Sequence, residues 1–214
     1  VYMYQHKNLT TYIPSVEGTL RNDAYYAQCL LDSTTLLTGN SLILDTRTFS
    51  VKASLSEKIN DVLLATDING QVYYAQDTSL IRYNPSTRAE VIIHQEAAFM
   101  AHCITLLDDT IWVGANIGAG QIIGDSIQWA YKTSFTNNHY GIKTISKDHE
   151  GNLWLGSYFQ LYRFNMSTSR LDSFPALTNT DIRDITMIRN KMFIGTYGNG
   201  YYVFHEDKLT PMPK

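Results

Sequence analysis

One unit of about forty residues recurs along the chain, and this repeat limits the folds open to it more than any other feature. The clearest copy spans residues 142–174 and reads IKTISKDHEGNLWLGSYFQLYRFNMSTSRLDSF. Further copies lie at 61–93, 101–132 and 182–212, and a weaker one begins at Cys29. Aligned on one position of the unit, the anchor residues fall at 39, 75, 114, 156 and 195, at intervals of 36 to 42 residues. Five registers at nearly one period indicate a modular fold.

Each copy of the unit reads as four short strands joined by tight turns. Asp148 to Gly151 predicts a hairpin, because Gly supplies the left-handed backbone that such turns need. Gly156 ends the second strand where backbones crowd. The aromatic at the Trp154 position is expected to pack between neighbouring units. Trp112 and Phe193 occupy that position in other copies, so we expect all three to be mostly buried.

These strands predict an all-β chain folded as a β-propeller, because the period is that of a four-stranded blade and no stretch has the 3.6-residue period of a helix. Residues 2–10 align with 202–210, so the chain opens on the third and fourth strands of a preceding blade. We expect five four-stranded blades plus that pair, forming an open arc of a larger, seven-bladed propeller. The single predicted domain, 1–214, has blades at approximately 1–14 (partial), 25–52, 59–94, 101–132, 142–174 and 182–213.

Composition narrows the classes of partner. The net charge of −3 gives no broad electrostatic reason to bind nucleic acid. The 15 tyrosines and the low charged content of 17% suit half-buried sheet faces. The chain has two cysteines, Cys29 and Cys103, which are too few to stabilise a fold of this size through disulfides. The repeat predicts that they lie two blades apart, so we expect two small buried side chains and no disulfide. No apolar run approaches the length of a membrane helix.

Motifs for catalysis, metals and cofactors are weak throughout the sequence. There is no helical pair of histidines at four-residue spacing, no G-x-S-x-G elbow and no phosphate loop. Gly114 to Gly120 leads into a strand and lacks the helix N-terminus that holds phosphate. The Asp-rich turns carry too few carboxylates to favour calcium. We therefore predict no catalytic residue, no metal and no cofactor in this region.

Candidate ligand-binding residues are those on one predicted face. In a propeller, the loops after the second strands and before the first strands converge around the channel mouth. Tyr, Asn and His predominate there and carboxylates are few, which suits neutral, hydroxyl-rich ligands such as sugars. Any one of these candidates, taken alone, is more readily explained as a solvated loop residue, so the prediction depends on the composition of the whole set of candidates. Its members are Asn60, His102, Asn116, His139, Tyr140, Lys143, Tyr158, Gln160, Arg183, Tyr197 and Asn199.

The segment Asp148–Gly156, DHEGNLWLG, followed by LYRFN at Leu161–Asn165, resembles the two-component regulator propeller repeat. That repeat fills the periplasmic sensor regions of hybrid two-component proteins of Bacteroidetes, many of which respond to polysaccharide fragments. The resemblance implies the sensor region of an inner-membrane protein, with a histidine kinase elsewhere in the full-length chain. The first copy departs from the pattern because it lacks the aromatic and the Asp turn, and the second has Ala75 in place of Gly.

Three functions are compatible with these observations. The favoured one is a non-enzymatic periplasmic sensor that binds an oligosaccharide or other small ligand at the channel mouth. Its remaining partners are the other blades of the same protein and a second copy in a homodimer. The alternatives are a protein-interaction scaffold without a small ligand, and a propeller lyase or hydrolase. The enzyme is disfavoured because no two acidic residues fall together on the predicted loop face.

Overall fold

The computed structural model describes the following residues: 2–5, 8–11, 15–16, 19–20, 28–32, 35–38, 42–45, 47–48, 50–54, 64–133 and 141–212. Within these residues all regular structure is β-strand, apart from one turn of 3-10 helix at Pro175–Leu177. No helix in these ranges is long and apolar enough to cross a membrane.

Two short hairpins open the chain. β1 (Tyr2–Gln5) pairs with β2 (Asn8–Thr11), and β3 (Ser15–Val16) pairs with β4 (Thr19–Leu20). The first hairpin is the predicted two-stranded pair. The second was not expected from the repeat, because its strands are only two residues long.

Five four-stranded antiparallel sheets follow, and each has its strands in chain order. We call them blades 1 to 5. Blades 1 and 2 contain β5 (Gln28–Asp32), β6 (Thr35–Thr38), β7 (Leu42–Asp45), β8 (Val51–Ser54), β9 (Leu64–Thr66), β10 (Val72–Gln76), β11 (Ser79–Asn84) and β12 (Ala89–Gln95). Blade 3 contains β13 (Ala101–Leu107), β14 (Thr110–Ala115), β15 (Gly118–Ile123) and β16 (Ser126–Lys132). Blades 4 and 5 contain β17 (Ile142–Lys147), β18 (Leu153–Ser157), β19 (Leu161–Asn165), β20 (Arg170–Ser173), β21 (Ile182–Ile188), β22 (Lys191–Thr196), β23 (Tyr201–His205) and β24 (Lys208–Pro211).

The blades lie side by side in chain order. Their first strands, β5, β9, β13, β17 and β21, form the inner row, and the principal contacts between blades join consecutive ones. This radial succession of four-stranded sheets is an open arc of a β-propeller. The predicted fold class is therefore confirmed.

The apolar core lies between consecutive blades. Trp154 is only 1% exposed and packs with Ile182 and Met192 of blade 5. Trp112 is buried in the same way against blade 4. Phe193, at the equivalent position of blade 5, is only partly buried, contrary to expectation, because no described part of the chain covers that face of the last blade.

The Asp turn and the buried aromatic form one hydrogen-bonded unit. Oδ1 of Asp148 accepts backbone N–H groups from Glu150 (3.0 Å) and Asn152 (2.9 Å), while Oδ2 accepts the indole N–H of Trp154 at 2.8 Å. In blade 2, the carboxylate of Asp67 likewise accepts backbone N–H groups of its own turn, and it accepts a hydrogen bond from the hydroxyl of Tyr73. In these two blades, one carboxylate thus shapes the hairpin and orients the aromatic that packs between blades, which explains the spacing between that Asp and the aromatic.

Candidate functional site

A β-bulge recurs at the start of the inner strand in three consecutive blades. The register between the first and second strands shifts between Ala101 and Cys103, between Ile142 and Thr144, and between Ile182 and Asp184. The extra residues in these shifts are listed in blade order: His102, Lys143 and Arg183. Each bulge therefore carries a basic side chain, and bulges re-aim side chains beside functional sites.

In blades 4 and 5 the bulge cation lies over a tyrosine from the loop that follows the second strand. Nζ of Lys143 is 3.8 Å from the ring centroid of Tyr158, and Cζ of Arg183 is 5.2 Å from that of Tyr197. Both distances are within the range of cation–π attraction. The two blades thus present the same cation–aromatic pair side by side at the rim of the inner strands.

Hydroxyl groups at the ends of the second strands hold the two tyrosine loops. Oγ of Ser157 accepts the backbone N–H of Gln160 at 3.0 Å and donates to its carbonyl at 2.9 Å. In blade 5, Oγ1 of Thr196 donates to the carbonyl of Gly200 at 2.7 Å. These bonds fix short loops whose tips leave Tyr158 and Tyr197 exposed.

Asp181 joins the two pairs across the blade junction. Its carboxylate accepts from Nζ of Lys143 at 3.1 Å and lies 2.6 Å from Nη2 of Arg183. Its backbone carbonyl accepts the N–H of Tyr197 at 2.9 Å. The carboxylate is only 10% exposed and the Lys143 side chain 15%. We call Lys143, Tyr158, Asp181, Arg183 and Tyr197 the rim cluster.

Burial shifts the proton equilibrium of the central lysine. Desolvation is the largest influence and lowers the pKa of Lys143, Arg183 lowers it further by repulsion, and Asp181 opposes both through its hydrogen bond and charge. Asp181 therefore partly offsets the cost of holding an ammonium group in this position.

The remaining predicted site residues divide by exposure. Asn199 is exposed and donates to the hydroxyl of Thr180 at 3.2 Å, so it borders the rim cluster. Gln160 is buried and its amide donates to the carbonyl of Phe174 at 2.8 Å. The amide of Asn116 is likewise buried, bonded to backbone groups on the segment that leads into β13. The positions of Gln160 and Asn116 favour a role in shaping loops over direct contact with a ligand.

His102 extends the row of bulge residues into blade 3. Its side chain is partly buried, and a Cβ at Gly141 would overlap its imidazole ring, so only glycine permits this approach. The predicted site residues Asn60, His139 and Tyr140 lie outside the described residues.

The rim cluster opens onto a groove along the inner face of β13, β17 and β21. This groove has a volume of about 690 Å³ and contains Lys143 and Arg183 at one end. Lys147 lies toward the other end and pairs with Asp108 of blade 3. Across the part of the chain that the structure describes, no group of three or more His, Cys, Asp or Glu side chains is arranged to hold a metal ion.

Sequence reasoning found both cations and both tyrosines of the rim cluster but missed Asp181. Its only signal was its place directly before β21, two residues ahead of Arg183. The bulges themselves were also missed, although the basic residue after an apolar one at each strand start marks them in retrospect.

Known structures share this fold. Two structures of the extracellular domain of BT4673 from B. thetaiotaomicron, described in one case as a one-component and in the other as a hybrid two-component system, match 94% and 92% of this chain at 19% identity, with TM-scores of 0.76 and 0.74. Virginiamycin B lyase from Staphylococcus aureus matches 99% of the chain and 80% of its own length, at 15% identity and a TM-score of 0.70. PorZ, a surface component of the type-IX secretion system of Porphyromonas gingivalis, matches 83% of the chain and 32% of its own length, at 14% identity and a TM-score of 0.58.

These likenesses concern the fold. The chain spans 29% of the length of the BT4673 domain. No protein-family profile and no curated protein sequence matches the chain. At identities below 20%, the structural matches establish that residues of this chain build consecutive β-propeller blades.

Proposed function

We propose that this region is the ligand-sensing part of an extracellular or periplasmic propeller in a membrane-bound two-component signalling protein, and that it recognises an oligosaccharide at the rim cluster. The observation that carries the proposal is the repeated cation–tyrosine pair, held on bulges of two adjacent blades and joined by Asp181. Such a preorganised arrangement on a rigid scaffold is typical of a binding site.

The chemistry of the cluster favours a saccharide. Tyr158 and Tyr197 are exposed side chains, and the part of each ring that its cation does not cover can stack on the apolar face of a sugar ring. Asn199 and Arg183 offer exposed hydrogen-bond donors beside them for ring hydroxyls. The groove beyond has room for more than one sugar unit, because its volume lies within the range of small-molecule sites.

The signalling context is supported by two independent likenesses. The fold matches the extracellular domain of the BT4673 hybrid two-component system, and residues 148–165 resemble the repeat of such sensors. A kinase elsewhere in the protein, an inner-membrane anchor and a periplasmic location all follow from these likenesses as part of the proposal.

The main alternative is an enzyme, because the fold also matches virginiamycin B lyase over 99% of the chain. The rim cluster offers little support for it. Asp181 is committed to Lys143 and Arg183, which leaves it poorly placed as a general base. The scaffold alternative predicts binding to a protein and to no glycan.

A glycan array of polysaccharide fragments, probed with the purified protein, tests the proposal. We expect binding to one structural family of oligosaccharides, confirmed by titration calorimetry in solution. The full-length protein should also show altered autophosphorylation when the same oligosaccharide is added. Absence of binding to every glycan would contradict the proposal, and turnover of a bound glycan would favour the enzyme.

A further inference from the structure

We infer that the saccharide is acidic and that Arg183 receives its carboxylate, with Tyr197 stacked on the sugar ring that bears it. This inference deepens the proposed function and depends on it. The neutral ligand expected from residue composition is thereby replaced by one with a negative charge at the rim.

The charges of the rim cluster do not balance. One carboxylate, Asp181, is shared by two cations, Lys143 and Arg183. With Lys143 protonated, the five residues of the rim cluster carry a net positive charge, and its exposed part is the guanidinium of Arg183. An anionic group on the ligand would complete the balance.

Of the two cations, Arg183 is the one exposed enough to bind an anionic group of a ligand. Nη2 of its guanidinium pairs with the carboxylate of Asp181, but its side chain remains 53% exposed. A guanidinium has five N–H donors in a planar fork that matches a carboxylate. Lys143, by contrast, is mostly enclosed between Asp181 and the ring of Tyr158, so it serves to hold Asp181 in place.

Tyr197 places an exposed aromatic ring, about the size of a sugar ring, beside the charged guanidinium of Arg183. Its ring is 74% exposed and lies 5.2 Å from the guanidinium carbon of Arg183. Its backbone is fixed by the hydrogen bond to Asp181, so the ring and the guanidinium are positioned by the same residue. A pyranose stacked on the ring would place an attached carboxylate within reach of the free edge of Arg183.

Asp184 restricts the position of the anion. It is exposed on β21 beside Arg183 and lines the groove, where it accepts the hydroxyl of Thr186 at 3.4 Å. Its negative charge disfavours an anion deeper in the groove. The ligand carboxylate therefore belongs at the rim, and the neutral part of the saccharide faces the groove.

The test compares acidic glycans with their own neutral derivatives. Oligosaccharide digests of polygalacturonate, alginate and glucuronoxylan are titrated before and after carbodiimide–borohydride reduction, which converts each carboxylate to an alcohol without changing linkage. A digest of sulfated carrageenan is included to separate carboxylate from sulfate. We expect one untreated uronate digest to bind at least about tenfold more tightly than its reduced form.

Substitutions of Arg183 test whether its guanidinium binds the carboxylate of the ligand. Arg183→Gln should abolish the preference for the unreduced form, and Arg183→Lys should restore part of it, because lysine keeps the charge without the planar fork. Arg189→Gln, in the exposed turn directly after β21, is the matched control and should bind as the unaltered protein does.

Each outcome decides the inference. Equal binding of untreated and reduced digests, or binding only to neutral glycans on the array, would overturn the acidic ligand and leave the proposed function standing. Preference for the sulfated digest would overturn the carboxylate but retain Arg183 as the anion receptor. Binding to no glycan would overturn the proposed function itself.

Discussion

Lys143 of blade 4 and Asp181 of blade 5 meet across the blade junction, with 3.1 Å between Nζ and Oδ1. They are 38 residues apart in the chain, and both side chains are largely shielded from solvent. The pair therefore couples the packing of two blades to the geometry of the rim cluster. Predictions about stability and about binding both follow from it.

Replacing Asp181 should affect stability as well as binding. Asp181→Ala leaves the ammonium group of Lys143 partly buried without its carboxylate, which we expect to cost about 1–3 kcal/mol. Asp184→Ala, a neighbouring exposed carboxylate, is the control and should change stability by less than about 0.5 kcal/mol. Thermal and urea unfolding followed by circular dichroism measures both. Equal stability of the two variants would show that the cross-blade pair contributes little.

Truncating the aromatic between blades should be strongly destabilising. Trp154→Ala removes a fully buried side chain and leaves Asp148 without its indole donor, so we expect a loss of about 3–5 kcal/mol in the free energy of unfolding. Ile188→Ala, an exposed position on β21, serves as the control. An unchanged melting curve for Trp154→Ala would contradict the packing described between blades 4 and 5.

Two glycines at the same repeat position should respond differently to alanine. A Cβ at Gly156 would lie 2.6 Å from methyl groups of Ile182 and Thr144, whereas one at Gly195 has no neighbour closer than 3.7 Å. We expect Gly156→Ala to cost about 1–3 kcal/mol through overcrowding and Gly195→Ala to be near neutral. Differential scanning fluorimetry of the two variants gives the comparison. A similar loss at both positions would mean that blade 5 is covered as blade 4 is.

The thiol of Cys103 should make stability fall at alkaline pH. Burial raises its pKa to about 12 from an ordinary value of about 9. Between these values the unfolded chain loses the proton and the folded protein keeps it, so the contribution of Cys103 to stability is complete below pH 9 and decreases as pH rises toward 12.

Cys103→Ala isolates that contribution, because the other alkaline groups titrate alike in both proteins. The stability of the unaltered protein relative to the variant should be constant up to about pH 8 and should decline by about pH 10.5. Urea unfolding at both pH values measures the difference. Parallel changes in the two proteins would show that the thiol is exposed to solvent in the folded state.

The fold was predictable because copies of the repeat share local interactions that leave a pattern in the sequence. Asp148, Gly151 and Trp154 of blade 4 are matched at the same spacing in blade 2, where one carboxylate likewise closes the turn and bonds to the buried aromatic. Such local, periodic constraints are visible in a sequence. They predicted the blades, the open arc and the burial of two tryptophans, whereas Phe193 differed because its burial depends on a neighbour beyond its own blade.

The rim cluster was predictable only in part. Lys143 and Arg183 were identified from their loop positions, but an apolar residue followed by a basic one is too common a pair to predict a bulge, so its effect on their direction was not foreseen. Asp181 was missed because its role depends on the placement of one blade against the next. Contacts of this kind follow from tertiary geometry, which a repeat alone does not determine.

The central claim is that a saccharide binds at the tyrosines of the rim cluster. Its most direct test is titration calorimetry of Tyr158→Ala/Tyr197→Ala with an oligosaccharide that the array identifies, alongside Tyr201→Ala as a control. Tyr201 is also exposed, but it begins the third strand of blade 5 and belongs to no cation–aromatic pair of the cluster. We predict at least about tenfold weaker binding for the double variant and unaltered binding for the control. Unaltered binding by a folded double variant would contradict the claim and place the site elsewhere.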